Sequence, residues 1–332
     1  MTVDEIAKRA NVSKATVSRV INESGYVSKE KREKVLSVLK DIDYQIPENT
    51  RKAGIRRIHT IGVVVSEMTN PYFLSAFEGI ASVADQYDID VVFYNSDRNP
   101  EKAIRALKRL KEMQVQGIII APTLDFDNFQ SSQRFGEAMN NTKIPIVFMD
   151  ATAELDERDG VFFDNFAGAF KAVDAMIQAG HREIGILTGD RRIKTVRDRF
   201  RGYCKALEVN GIERRDNFIL EGDFTREGAY RTAKEYLKNG KMPQAIFTCN
   251  NFTTEGFFKA VLEEKLVLGQ DIFCMAFDKL EQFDMFGLNY SYLERNPWEM
   301  GKAAMEMLLE RLKNPSILCT RKIIPFHIIM NS

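Results

Sequence analysis

Short, continuous apolar runs, spaced by helix-length amphipathic stretches, constrain this 332-residue chain more than any other feature. They read TIGVVV (60–65), DVVFYN (90–95), GIIIAP (117–122), IPIVFMD (144–150), GVFFD (160–164), EIGILTG (183–189), AIFTCN (245–250) and IFCMAFD (272–278). Runs of Val, Ile and Phe without polar alternation suit strands buried on both faces, so the pattern predicts parallel sheets covered by helices. Two such sets in succession predict two doubly wound α/β lobes, and a hydrophobic content of 44% is ample for their cores. In such sheets a ligand binds beyond the carboxyl ends of the strands.

Residues just after the runs are therefore candidates for a site. Asn70 can cap and Pro71 open a helix presenting Tyr72 and Phe73. Asp150, Asn250 with Asn251, and Asp278 close their runs, and Arg197, Arg199 and Phe224 lie between. Aromatic faces, carboxylates, amides and a bidentate guanidinium suit a polyhydroxylated or anionic small molecule. Ordinary capping and loop solvation is the competing reading of each residue taken singly. Further on, Met300, Ala303, Ala304, Met307 and Leu308 share one helical face and read as core.

The first 59 residues differ in kind. They hold thirteen Lys and Arg against eight Asp and Glu, a net of +5, so the neutral whole leaves −5 for the rest. A basic head on an acidic body suggests nucleic-acid binding. Thr2 and Glu5 have the spacing of a capping box, and Ile6, Ala7 and Ala10 supply the apolar face of a short helix. Ser13 can cap a second helix through Val17, Val20 and Ile21. After a turn at 22–25, Ser28 can cap a third that buries Val35, Leu36, Leu39 and Ile42. Three short helices with tight turns make a helix-turn-helix unit, whose second motif helix lies in the major groove. On that helix Lys14, Ala15 and Arg19 can reach bases, while Ser13, Thr16, Ser18 and Asn22 can bond to backbone or bases. A solvated face on a small structural bundle is the alternative. After Tyr44 the composition changes, Pro47 stops the third helix, and 47–59 reads as a linker too short to hold a helix alone.

The stretch TVDEIAKRANVSKATVSRVINESGYVSKEKREKVLSVLKDIDY resembles the DNA-binding domain of the lactose-repressor (LacI/GalR) family of bacterial transcription regulators. TIGVVVSEMTNPYF, RFRGY, GDFTREGAY, FTCNN and AFD resemble, in order, that family's effector domain, which is similar to periplasmic sugar-binding proteins. The resemblance implies an all-α helix-turn-helix head (1–46), a hinge (47–59) and a two-lobed effector and dimerisation domain (60–332). Lobe 1 would take about 60–160 and 291–320, lobe 2 about 161–290 and 321–332. It implies Lys14, Ala15 and Arg19 as base readers, with Thr2, Tyr26 and Ser28 as further DNA contacts. In the family the hinge folds on DNA and wedges a leucine into the minor groove. That position falls here on Ala53, a departure that leaves Ile55 as a substitute or the site less bent, with Arg51, Arg56 and Arg57 able to grip phosphate. The implied effector contacts are Tyr72, Phe73, Asp150, Thr195, Arg199, Phe224, Asn250 and Asp278. Arg197, with Arg191 and Arg192, crowds the same region, and Asn251 stands where the family commonly has Asp. Both features point to an acidic or phosphorylated sugar, with surface arginines as the alternative.

The expected protein is a homodimer on a near-palindromic operator, most simply a repressor of carbohydrate-utilisation genes under a sugar-type effector. Its runner-up is a catabolite-control regulator answering to a phosphocarrier protein. No leucine-heptad tail follows IIPFHIIM, which favours a dimer over a dimer of dimers. No G-x-S-x-G, P-loop or H-E-x-x-H is present, and His59, His181 and His327 have no evident partners, so no enzyme is expected. Neither cofactor nor metal is expected: Cys204, Cys249, Cys274 and Cys319 are scattered in apolar contexts and read as reduced core residues. MTVDEIAKRA is no signal peptide, and no run approaches a membrane span, which predicts a cytoplasmic protein.

Overall fold

A computed structural model describes residues 3–21, 26–41, 60–122, 129–151, 158–239 and 242–331. The chain separates into two compact units, Met1–His59 and Thr60–Ser332.

The first unit holds α1 (Val3–Arg9), α2 (Lys14–Ile21) and α3 (Lys29–Asp41). Ile6, Ala7, Ala10, Val17, Val20, Ile21, Val35 and Leu39 form its buried core. Asn11 ends α1 in the left-handed region (φ 51°), where Asn is tolerated, and the Val12 N–H returns to the Ala7 carbonyl at 3.0 Å. Ser13 then starts α2, its Oγ accepting the Thr16 N–H at 3.2 Å. Leu36 departs from expectation. It is 44% exposed, because the face of α3 that packs on α1 and α2 is set by Val35 and Leu39, and Leu36 falls to one side of that stripe, about 100° around the helix from Val35 and about 60° from Leu39. Ile42 lies outside the described residues.

In the second unit, one sheet joins β1 (Thr60–Val65), β2 (Asp90–Asn95), β3 (Gly117–Ile120), β4 (Ile146–Asp150), β5 (Gly160–Phe162) and β11 (Arg321–Ile323). The strands run parallel in the order β11-β5-β4-β3-β1-β2. Helices α4 (Pro71–Gln86), α5 (Pro100–Glu112), α6 (Phe129–Thr142) and α12 (Pro297–Lys313) cover this lobe. The other sheet joins β6 (Ile184–Thr188), β7 (Ile219–Glu221), β8 (Ala245–Thr248), β9 (Phe273–Phe277), β10 (Ser291–Arg295) and β12 (Phe326–Ile329) in the order β12-β10-β9-β8-β6-β7. Only β12 runs antiparallel to its neighbour. Around it lie α7 (Asn165–Gln178), α8 (Lys194–Val209), α9 (Arg226–Lys238), α10 (Asn251–Glu263) and the short α11 (Glu281–Met285). Both sheets repeat one winding, 2-1-3-4-5 and 7-6-8-9-10, so each has its switch point beside its first strand. In lobe 1 a core lies between the sheet and helices α5 and α6, with Ile80, Val83, Met300 and Ala304 of α4 and α12 buried as well, and in lobe 2 two cores line the opposite faces of the sheet.

The contact of α4 with α12 explains two glycines. A Cβ on Gly79 would lie 2.0 Å from the Trp298 carbonyl oxygen, and one on Gly301 1.8 Å from that of Ala76, so the two backbones meet only without side chains. Met300, Ala303, Ala304 and Leu308 are buried, as are Met305 and Leu309, while Met307 is half-buried.

Two of the expected lobe boundaries move. Residues 291–295 pair with β9 and belong to lobe 2, whereas 321–323 pair with β5 and belong to lobe 1. The chain thus changes lobe on either side of α12. Cys249 and Cys274 are buried and Cys204 is half-buried, but Cys319 is exposed, since it precedes the edge strand β11. Among the described residues no helix is long and apolar enough to cross a membrane.

Candidate functional site

Two surfaces gather the candidate residues. On α2, Val17, Val20 and Ile21 are buried, which leaves Lys14, Ala15, Ser18 and Arg19 exposed together on the opposite side. Ser13 and Thr16 stand at the start of the helix with their hydroxyls 2.9 Å apart, so both are part of the cap as well as of this surface. Tyr26 is 89% exposed, and Ser28 is half-buried at the start of α3, its carbonyl accepting the Arg32 N–H at 3.0 Å. Thr2, Asn22, Arg51 and Ala53 lie outside the described residues.

The second surface is a cleft between the lobes of Thr60–Ser332. It is lined by Tyr72, Phe73, Asp150, Thr195, Arg199, Phe224, Asn250 and Asp278, together with residues the sequence did not single out. Arg197 is the exception: two residues before Arg199 on α8, it points some 200° away around the helix and does not line the cleft. Arg191 and Arg192 are also elsewhere. Arg191 pairs with Glu221 and lies over the Phe200 ring, while Arg192 holds Asp190 at 2.6 Å.

The cleft residues follow strands, as the topology requires, and four of them hold unusual backbone. Arg98 (φ 53°), Asp150 (φ 65°), Phe224 (φ 65°) and Asp278 (φ 104°) sit in the left-handed region without being glycine, a strain that the packed sheets must sustain. Asn70 caps α4 by accepting the Tyr72 N–H at 3.0 Å, and Asn250 forms a reciprocal capping box with Thr253. Asn251 donates its amide N–H to Asn70 Oδ1 at 3.1 Å, joining the lobes. A carboxylate there would put acceptor against acceptor, which gives a local reason for Asn251.

The centre is Arg295, the last residue of β10. Its Nε and Nη2 donate to the two oxygens of Asp278 at 2.6 and 2.7 Å, and its Nη1 lies 3.5 Å from Asp150 Oδ1. The Tyr72 hydroxyl donates to the same Asp150 oxygen at 2.6 Å. The rings of Tyr72, Phe163 and Phe277 surround the guanidinium at 4.3–4.9 Å. Burial, the largest single influence, disfavours this charge, but Asp278, Tyr72 and Asp150 together outweigh it and hold the Arg295 pKa above the ordinary arginine range; burial, reinforced by Asp150, pushes the Tyr72 phenol up.

Arg199 is placed differently. It is 4% exposed, donates Nε to Asn165 Oδ1 at 2.8 Å and Nη1 to the Cys249 carbonyl, and lies 3.7 Å over the Phe277 ring. Both acceptors are neutral. Burial, then repulsion from Arg295, lowers its pKa to about 10, and burial pushes the adjacent Cys249 thiol up to about 12. The sequence carried one signal for Arg295: it precedes Asn296-Pro297, the same helix-opening pair as Asn70-Pro71. Among the described residues no cluster of His, Cys, Asp and Glu could hold a metal ion.

Known proteins share both parts. A family model described as bacterial regulatory proteins, lacI family, matches residues 2–47, and one described as periplasmic binding proteins and sugar binding domain of LacI family matches 58–325. The ribose operon repressor of Haemophilus influenzae is 29% identical over 315 residues, 95% of this chain and 93% of that protein. The HTH-type transcriptional repressor PurR of Klebsiella pneumoniae is 29% identical over 314 residues, 94% of this chain and 91% of that one. A lac repressor dimer bound to operator and the anti-inducer ONPF superposes with a TM-score of 0.77 at 25% identity, covering 100% of this chain and 98% of that one. With its helical head and its two-lobed body both matched, the chain belongs to the LacI family of bacterial regulatory proteins and is a DNA-binding transcriptional repressor, not an enzyme.

Proposed function

We propose that this repressor acts in the cytoplasm as a homodimer, each head (1–46) reading one half of a near-palindromic operator through α2, with 47–59 as the hinge. Arg19 and Lys14 read base edges, Ala15 meets a thymine methyl, and the hydroxyls of Ser13, Thr16 and Ser18 hold the backbone. Phosphate neutralisation supplies much of the affinity, so binding falls steeply with salt.

Operator affinity is set by a small molecule in the cleft, a sugar or a sugar acid or phosphate. The observation that carries this reading is the network Tyr72–Asp150–Arg295–Asp278, which spans both lobes. A ligand inserted there has different contacts in each lobe arrangement and so shifts their balance, the requirement for coupling to the heads. The cavity, about 80 Å³, is several times the roughly 10–15 Å³ that one water needs, which favours a monosaccharide-sized occupant. The relative named a ribose operon repressor agrees with that size class.

The test is selection of bound duplexes from a random pool by the full-length protein, with and without candidate sugars. Enrichment of a near-palindrome supports the reading, and a deformable central step would show that the hinge works despite Ala53. No enriched symmetric sequence under any condition would overturn it.

A further inference from the structure

We infer that Arg295 makes the cleft selective for an anionic, sugar-sized molecule, by occupying carboxylate oxygens that would otherwise accept sugar hydroxyls and leaving Arg199 as the group a ligand must satisfy. The inference rests on the small-molecule reading above. Both oxygens of Asp278 are taken by Arg295, and one oxygen of Asp150 is shared between Tyr72 and Arg295. Asp278 is thus committed within the protein, and Asp150 in part, through one of its oxygens.

The cations at the rim are committed as well. Lys194 pairs with Asp198 at 2.7 Å, and Arg98 lies 3.9 Å from Glu67 while donating to the Asp223 carbonyl at 3.2 Å. Arg199 differs. Among the described residues, no carboxylate lies within ion-pair distance of its guanidinium, although it is almost wholly buried. A buried cation served only by neutral acceptors is costly, and an anionic oxygen reaching it relieves that cost with a charge-assisted bond.

A second observation points the same way. Helix α8, which carries Arg199, has Ile193 in its capping position and so no side-chain cap, and Ile193, Lys194 and Thr195 line the cleft. Its first-turn N–H groups and the positive end of its dipole therefore border the same space. The charged residues lining the cleft are Glu67, Asp150 and Asp278 against Arg98, Lys194, Arg199 and Arg295, a net of +1. Replacing Arg295 by glutamine turns that into zero and frees Asp278 for hydroxyl donors, while Asp150 keeps only its Tyr72 donor.

The test is titration calorimetry of the full-length protein with D-ribose, D-ribose 5-phosphate, D-glucose and D-glucuronate, paired with operator binding in each probe. Wild type is expected to bind an anionic member at least about tenfold more tightly than its neutral counterpart, Arg295→Gln to lose that preference, and Arg295→Lys to keep most of it. Should Arg295→Gln fail to fold, Arg199→Gln takes its place and is expected to erase the anion preference with the Arg295–Asp278 pair intact. Tight binding of a neutral sugar by wild type, or an unchanged preference in the variant, overturns the inference while the small-molecule reading stands. No binding by any probe, with operator affinity unmoved, overturns both.

Discussion

On α2, Lys14, Ala15, Ser18 and Arg19 are exposed to water above a buried Val17, Val20 and Ile21. In the cleft, Arg199, Asn250, Asp278 and Arg295 are each no more than 8% exposed and are bonded to one another or to backbone. Both regions are polar, but the protein has withdrawn water from only one of them. A group in water can be removed with little effect on folding, whereas a buried charged group leaves its partner without solvent or counter-ion. Function and stability should therefore separate on α2 and move together in the cleft.

The largest effect should come from Asp278→Ala. It strips Arg295 of both short bonds and leaves only the 3.5 Å approach to Asp150, an uncompensated buried charge that costs about 3–5 kcal/mol. Urea unfolding followed at the single Trp298 checks this, and a loss near zero would break the comparison by showing that water already reaches the pair. Arg19→Ala is next: it should remove about 1–3 kcal/mol of discrimination against a wrong base and leave stability within about 0.5 kcal/mol. Competition between operator and scrambled duplexes measures the first quantity. Equal weakening on both duplexes would assign Arg19 to phosphate instead.

How far the chain was readable follows from the same contrast in burial. Strands β1, β3, β4, β6, β8 and β9 are almost wholly buried, and each shows as an apolar run. Strand β10 alternates buried and half-buried residues as SYLER, and β11, at a sheet edge, is exposed throughout, so neither shows such a run and the lobe boundaries near them were misplaced. The cleft residues that end strands were visible because topology places them there. Arg295 was hidden for the opposite reason: its role depends on Asp150 and Asp278, which approach it only after three distant segments have folded together. The positive φ of Asp150, Phe224 and Asp278 was equally illegible, since neither Asp nor Phe announces a conformation that glycine would.

The smallest expected effect sharpens the comparison inside the head. Leu36 and Leu39 lie three residues apart on α3, yet Leu36 is 44% exposed and Leu39 only 3%. Leu39→Ala empties part of the core formed with Ile6, Val17 and Val35 and should cost about 2–5 kcal/mol. Leu36→Ala removes a side chain already largely in water and gains slightly in helix propensity, so its effect should stay within about 0.5 kcal/mol. Thermal unfolding of the two full-length variants, followed by the helical signal at protein concentrations spanning two decades, separates them. A loss at Leu36 that approaches the one at Leu39 and grows with concentration would mean that association covers this face of α3. The rule that exposed positions in the head are energetically silent would then hold for α2 alone.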